Sequence, residues 1–275
     1  MKIRPKLREL SRLVIPALFA LVVAVVQTQG LFATALLVSV ATAGCSSAEK
    51  VDPTTPEGAF KLAENLEKDE RFEESVAKYT DVKNKHPYSR FATLAEMKIA
   101  DVQFKREAFI EAQYAYQTFK DLHPKHPQID YVTFRLGLSI FNQLPSTTDR
   151  DLSLADKAIL YFDEVLASYS KSPYAKEAGE RKADALRMLA GKELYIANFY
   201  MMKKQYGSAL GRYERLLQVY GNISGFGPPA LYGAAYSAKQ TGDRDKQARF
   251  VKTLISQYPD SSEASRAKSE FRDGR

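Results

Sequence analysis

The sequence predicts an all-α protein, a right-handed solenoid of five helix pairs closed by a C-terminal capping helix. Three observations carry that expectation. Beyond residue 56, apolar side chains recur every three or four positions, with no sustained alternation of the kind a strand needs. Prolines fall between these amphipathic stretches, at Pro87, Pro124, Pro127, Pro145, Pro173, Pro228, Pro229 and Pro259, where a missing N–H bounds a helix rather than breaking one. An apolar residue followed by a small one also returns five times down the chain.

Residues 1–44 read as an export signal ahead of the helical part. Lys2, Arg4, Lys6, Arg8 and Arg12 stand against one acid, Glu9, and two apolar runs follow at 13–26 and 31–43. Each has the length of a signal-peptide core and falls short of the roughly 18 residues that span a bilayer. The second run ends Val40-Ala41-Thr42-Ala43-Gly44-Cys45-Ser46-Ser47. This string is similar to a bacterial lipobox, with Thr42 where Leu is usual. The likeness implies that Cys45 is diacylated on sulfur and becomes the mature N-terminus, and that Ser46, in place of Asp, sorts the product to the outer membrane. A chain with one cysteine closes no internal disulfide and supplies no Cys₂ or Cys₄ zinc site. Residues 45–56 hold two prolines and no apolar period, and read as a tether.

The charge balance then loses its first meaning. The whole chain has 40 basic and 33 acidic residues, net +7, a balance that invites nucleic acid. Residues 1–44 hold five of the basic residues and one acid, so the remaining 231 carry 35 and 32, net +3, with no Lys/Arg run. A nucleic-acid partner is excluded on that ground.

The helix pairs follow in order. On the first helix of each, the packing pair is Leu62-Ala63, Ile99-Ala100, Leu136-Gly137, Ile196-Ala197 and Ala234-Ala235. On the second it is Ser75/Tyr79, Ala112/Tyr116, Ala158/Phe162 and Ala209/Tyr213, with Val251 and Leu254 replacing the aromatic in the fifth. Pro87, Pro124, Ser170, Gly221 and Pro259 close the units. This is the pattern of a tetratricopeptide repeat, in which a small residue lets the partner helix's ring approach the backbone. The small residues are 37, 37, 60 and 38 positions apart. The wide gap holds about nine extra residues near 142–154 and about fourteen that lengthen a helix over 174–203. Residues 57–170 thus carry repeats one to three, and 171–275 carry repeats four and five with a cap over 261–271.

Two strings carry more than a generic repeat. The first is His126-Pro127-Gln128-Ile129-Asp130-Tyr131-Val132-Thr133-Phe134-Arg135-Leu136-Gly137-Leu138, followed by Asp149-Arg150-Asp151. The second joins Leu189-Ala190, Glu193, Ala197 and Tyr200 to Tyr206, Ala209 and Arg212. Together with the lipobox they resemble the BamD family of β-barrel assembly lipoproteins. That resemblance implies a scaffold with no catalysis and no cofactor beyond the lipid on Cys45, anchored to the periplasmic side of the outer membrane. The implied partners are the BamA insertase, other lipoproteins of the same machinery and unfolded β-barrel precursors, recognised through a C-terminal signal. It also implies that the first three repeats form the precursor groove and the last two hold the insertase. The rival reading is a periplasmic repeat lipoprotein coordinating cell division or peptidoglycan synthesis. A lytic transglycosylase is excluded, because repeats leave no room for its catalytic domain.

The candidate sites follow from that division. Glu64, Asn65, Asp101, Gln103, Phe104 and Arg135 lie one to four positions off the packing pairs, where a first helix faces the concave side. Arg135, beside Tyr131 and Phe134, suits a free carboxylate next to an apolar pocket. The competing role is a bridge between helices, with Asp130 as partner. Tyr79, Tyr116 and Phe162 read as core. Asp149, Arg150 and Asp151 either order the inserted loop or meet a partner. On the long helix, Arg187, Lys192, Glu193 and Tyr200 are candidates for the insertase contact, against a solvated helix face. His86, His123 and His126 each precede a proline and read as turn residues rather than metal ligands. The segment Gly225-Phe226-Gly227-Pro228-Pro229 reads as a helix-breaking turn.

Overall fold

A computed structural model describes residues 52–271, and these form eleven helices with no strand among them. Cys45, its lipobox and the two apolar runs lie outside the described residues. The helices are α1 (Pro56–Lys68), α2 (Phe72–Lys85), α3 (Arg90–Lys105), α4 (Phe109–Leu122), α5 (Ile129–Phe141) and α6 (Ser153–Ser168). They continue as α7 (Ala175–Met202), α8 (Tyr206–Tyr220), α9 (Gly227–Thr241), α10 (Arg244–Gln257) and α11 (Ser262–Glu270). Each packs on its neighbours in the chain, and first helices of successive pairs also touch, α1 on α3, α5 on α7 and α7 on α9. That is the one-dimensional stacking expected of a repeat array.

The packing pairs behave as their residue types dictate. Ala63, Ala100, Ala197 and Ala235 are fully buried, as are Tyr79, Tyr116 and Phe162, while Tyr213 is almost so. A Cβ added to Gly137 would lie 2.9 Å from the Phe162 ring and 3.2 Å from Tyr161 Cβ, so α5 and α6 approach to a distance only glycine allows.

The turns inside the pairs repeat one device. The N–H groups of Arg71, Ala108, Gln205 and Asp243 donate to the carbonyls of Leu66, Gln103, Tyr200 and Ala238, each five residues back, at 2.9 Å. This Schellman closure puts the preceding residue in the left-handed region: Glu70 (φ 59), Glu107 (φ 60), Lys204 (φ 57) and Gly242 (φ 79). The third pair lacks it, because residues 142–152 separate α5 from α6. In that insertion the Asp151 carboxylate accepts from Ser153 N (3.0 Å) and Oγ (2.9 Å), and Lys192 Nζ donates to the Arg150 carbonyl at 2.6 Å. Asp151 thus orders its own stretch of backbone and Lys192 ties the segment to α7, which fits the structural one of the two sequence readings.

Helix α7 has 28 residues, close to the expected 174–203. The Gly225–Pro229 segment departs from expectation. Gly225 (φ 94) and Phe226 turn the chain; α9 already begins at Gly227, with the prolines in its first turn, where no N–H is needed. The cap α11 buries Ala264 and Ala267 against Leu231 and Leu254. Its start is fixed by Ser261 Oγ accepting from Ala264 N at 3.1 Å.

Candidate functional site

Arg135 lies where α3, α4 and α5 meet. Its guanidinium stacks on the Phe104 ring, 3.6 Å from the centroid, and faces Tyr131 at 5.8 Å. Nε donates to the Tyr116 hydroxyl at 3.2 Å. The Tyr116 and Tyr131 hydroxyls both donate to Asp101 Oδ1, at 2.6 and 2.7 Å. Among the described residues no carboxylate forms an ion pair with Arg135, so its Nη groups keep their donors free. Of the two sequence readings, the bridge is present, although its partners are Tyr116 and Phe104 rather than Asp130.

The electrostatics keep each group in its useful form. Burial first, and then the Asp101 carboxylate, push the Tyr116 and Tyr131 hydroxyls well above the ordinary phenol range, so both stay donors. Burial pulls the Arg135 guanidinium down, but Tyr116, Tyr131 and Asp101 outweigh it and raise the group.

The other predicted residues of this half separate. Phe134 is 3% exposed and stacks on Tyr174, with centroids 5.5 Å apart, so it is a core residue and offers no surface to a ligand. Tyr131 is half-buried with its hydroxyl committed to Asp101. Asn65 is exposed on α1 and Glu64 half-buried beside it. Gln103 leaves the Arg135 group and lines a trough between α2 and α4, where its Oε1 is buried without a hydrogen-bond partner.

One regularity was missed in reading the sequence. Tyr116 bonds to Asp101 and Tyr213 to Asn198 Oδ1 (2.7 Å), and each acceptor directly follows the small residue of the partner helix. In the third pair the ring is Phe162, without a hydroxyl, and that position is Leu138. A buried phenol needs an acceptor, so tyrosine matched with a polar residue and phenylalanine with an apolar one is the signal that locates Asp101. In the first pair the acceptor lies elsewhere: Tyr79 donates to Glu67 at 2.9 Å, a carboxylate also bonded by Lys105.

The four candidates on α7 do not form one patch. Arg187 is exposed and pairs with Asp184 of its own helix at 3.4 Å. Lys192 holds the Arg150 loop. Glu193, its side chain 12% exposed, pairs with Arg212 (3.2 Å) and Arg215 (3.1 Å) of α8 and joins the two helices. Tyr200 alone reaches a cavity of about 400 Å³, shared with Gly207, Ser208, Gly211, Arg212 and Arg215. Nothing lies within 4 Å of a Cβ added at Gly207 or Gly211, so this face of α8 is open to close approach.

The histidines are engaged locally. His123 Nε2 lies 2.7 Å from Glu96 Oε2, and His126 Nδ1 accepts from Gln128 N at 3.2 Å. Burial lowers His126, with His123 adding to the effect. Among the described residues no three His, Cys, Asp or Glu side chains gather as metal ligands would, and no helix is long and apolar enough to cross a membrane.

The sequence model of the YfiO family, described as an outer membrane lipoprotein, matches residues 53–226. The chain belongs to the YfiO family. Its curated relatives include outer membrane protein assembly factors BamD. The Neisseria meningitidis serogroup A protein is 29% identical over 157 residues, 54% of this chain and 59% of that one. The Caulobacter vibrioides protein is 26% identical over 232 residues, covering 82% and 75%. The Vibrio cholerae protein is 24% identical over 203 residues, covering 70% and 81%. The chain thus spans less than two thirds of the Neisseria relative's length and more of the other two. The YfiO match runs from before α1 through α8, so it contains the Arg135 group and the α7/α8 cavity together.

Proposed function

We propose that this protein is a non-enzymatic scaffold for assembling β-barrel proteins in the outer membrane, held to the periplasmic face by lipid on Cys45. In this reading repeats one to three receive a client's C-terminal segment and repeats four and five contact the BamA insertase, with the machinery's other lipoproteins as further partners. Membership of the YfiO family and the names of the BamD relatives support the process.

The observation that carries the client half is the unpaired Arg135 guanidinium. It is already oriented by Phe104 and Tyr116 and has donors to spare, so a terminal carboxylate binds without a competing acid having to leave. The Phe104 ring gives the adjoining side chain an apolar surface. For the insertase half, the support is the open cavity at Tyr200, where Gly207 and Gly211 let another backbone come close beside the Arg212 and Arg215 side chains already held by Glu193.

Depletion of the protein tests the process: folded porin in the outer membrane falls, whereas normal porin with defective division would favour the rival lipoprotein. Cys45→Ala tests the anchor by releasing the protein from membranes. Arg135→Glu tests the groove by weakening binding of a porin-derived C-terminal peptide; unchanged affinity assigns Arg135 to structure alone.

A further inference from the structure

The four apolar cores of the solenoid are not all joined in the same way. Leu94 packs against both the first core, around Tyr79, and the second, around Tyr116 and Phe162. Leu217 and Phe250 do the same for the third, around Tyr213, and the last, around Leu254. Between the second and third cores, among the described residues, no side chain packs against both. The second core ends on α7 at Ala178 and the third begins on the same helix at Ala190. In the stretch between them Ala185 is the one fully buried side chain, and a half-exposed ion pair, Lys182 with Asp163 at 2.5 Å, holds α7 to α6.

Two glycines bracket that stretch, Gly179 directly after Ala178 and Gly191 directly after Ala190. Glycine weakens a helix interior, so α7 is softest at the two ends of the unbridged segment. Packing does not require Gly179, since an added Cβ would meet only Leu166 Cδ2, at an ordinary 3.8 Å. Close approach does require Gly191, where an added Cβ would lie 3.0 Å from Thr148 Cγ2, so the inserted loop rests on the helix backbone.

The loop closes this gap from one side. Next to the Thr148 contact, Lys192 Nζ donates to the Arg150 carbonyl at 2.6 Å. Thr147 first holds the Asp149 carboxyl below the usual carboxylate range, and Ser153 does so for Asp151, with the Lys192 charge adding to both. The ammonium therefore stands near two ionised acids as well as the carbonyl. Leu152, 2% exposed, fixes the far end of the loop at the head of α6. On α7 the next residue, Glu193, pairs with Arg212 and Arg215 of α8. Lys192 thus ties α7 back to the first three repeats, and its neighbour ties it forward to the last two. A bend of α7 between the two glycines draws Lys192 away from the Arg150 carbonyl and leaves the cores on either side intact.

We propose that the solenoid consists of two arms meeting at a joint on α7, residues 179–191, and that residues 148–151 are a clasp that sets the angle between the arms by gripping Gly191 and Lys192. Opening the clasp changes the angle at which the two halves present their faces. The joint lies between the halves assigned above to client and insertase, but it does not depend on what either half binds.

The test is the distance between two nitroxide labels, measured by double electron–electron resonance on the full mature chain carrying Cys45→Ser. Labels enter through Lys125→Cys, beyond α4, and Ser256→Cys, on α10, both exposed and one on each arm. The parent gives one narrow distance distribution. Lys192→Met removes the donor and should widen it by about twofold or more. Lys192→Arg, which keeps a donor and the charge, should restore the parent width. Gly191→Leu lifts Thr148 off the helix by a different route and should widen the distribution as well. Arg187→Met, on the same helix and paired only with Asp184 of α7, should leave it unchanged. In the Lys192→Met background Gly179→Ala should narrow it again, because alanine stiffens the helix. Far-UV circular dichroism of each variant separates opening from unfolding. The proposal is overturned if the parent is as broad as Lys192→Met, if both clasp variants keep the parent width, or if Arg187→Met widens it equally. It is also overturned if both clasp variants lose helix content, which would make the contact one of folding and not of angle. No client or insertase is present in the measurement, so its failure leaves the readings of Arg135 and of the Tyr200 cavity standing.

Discussion

The four Schellman turns allow the stability of the solenoid to be raised from a backbone argument alone. Glu70, Glu107 and Lys204 occupy left-handed positions that Gly242 occupies in the fifth pair. An L side chain in that region costs about 1–2 kcal/mol, and glycine gives back about 0.5–1 kcal/mol of that as extra unfolded-state entropy. Each substitution to glycine should therefore stabilise by about 0.5–1 kcal/mol. All three side chains are exposed, so little is lost with them. Glu70 and Glu107 also place a negative charge just past the C-termini of α1 and α3, where the helix dipole disfavours it, whereas Lys204 places a favourable one past α7. Glu107→Gly and Glu70→Gly should thus gain a few tenths of a kcal/mol more than Lys204→Gly. For a chain of this size that is a rise of about 1–4 °C per site in the thermal midpoint followed by far-UV circular dichroism. Gly242→Ala should lower the midpoint by a similar amount. A fall in midpoint on all three substitutions to glycine would refute the reasoning, because it would mean that these turns are not left-handed in solution.

Other expectations rest on single contacts. Gly137→Ala forces the Phe162 ring away from α5 and should cost about 1–3 kcal/mol, whereas Gly211→Ala, in open space on α8, should stabilise by roughly 0.5–1 kcal/mol; both are read by urea denaturation. Glu67 is buried, and although burial alone raises its pKa, bonds from Lys105 and Tyr79 and the charge of Lys98 leave it lowered. Its contribution is therefore complete above the ordinary carboxylate pKa of about 4.3 and is lost as pH falls through the lowered folded value. Glu67→Gln should cost about 2 kcal/mol at pH 7, discounted for the exposure of Lys105, and much less at pH 3; an equal loss at both pH values would refute the assignment.

The fold was legible because each repeat states its packing twice, as a small residue on one helix and a ring on the other. Ala100 with Tyr116 and Gly137 with Phe162 place α3 to α6 almost to the residue. The site was harder to read because a helical period says which face a residue is on and not which neighbour it meets. Phe134 and Arg135 are adjacent in the third-repeat string, yet one is sealed against Tyr174 and the other stacks on Phe104 from a preceding repeat. Likewise Lys192 and Glu193 share a turn of α7, but one serves an inserted loop and the other a following helix.

Whether Arg135 is there for the fold or for a ligand can be decided on stability. Asp101 bonds two phenols and supports the guanidinium only through space, so Arg135 is left half-buried with a π face and one hydroxyl as its direct partners. A cation–π contact is worth about 0.5–2 kcal/mol, no more than the cost of partly withdrawing a guanidinium from water. Methionine keeps the apolar stem over Phe104 and removes the charge. If the residue bridges the helices for stability alone, Arg135→Met costs about 1 kcal/mol or more and leaves peptide affinity untouched. If it is held in reserve for a carboxylate, the same substitution is neutral or slightly stabilising and the peptide is lost. The second pattern is expected, because the structure spends its one nearby carboxylate on two tyrosines and leaves the arginine's outer donors unused.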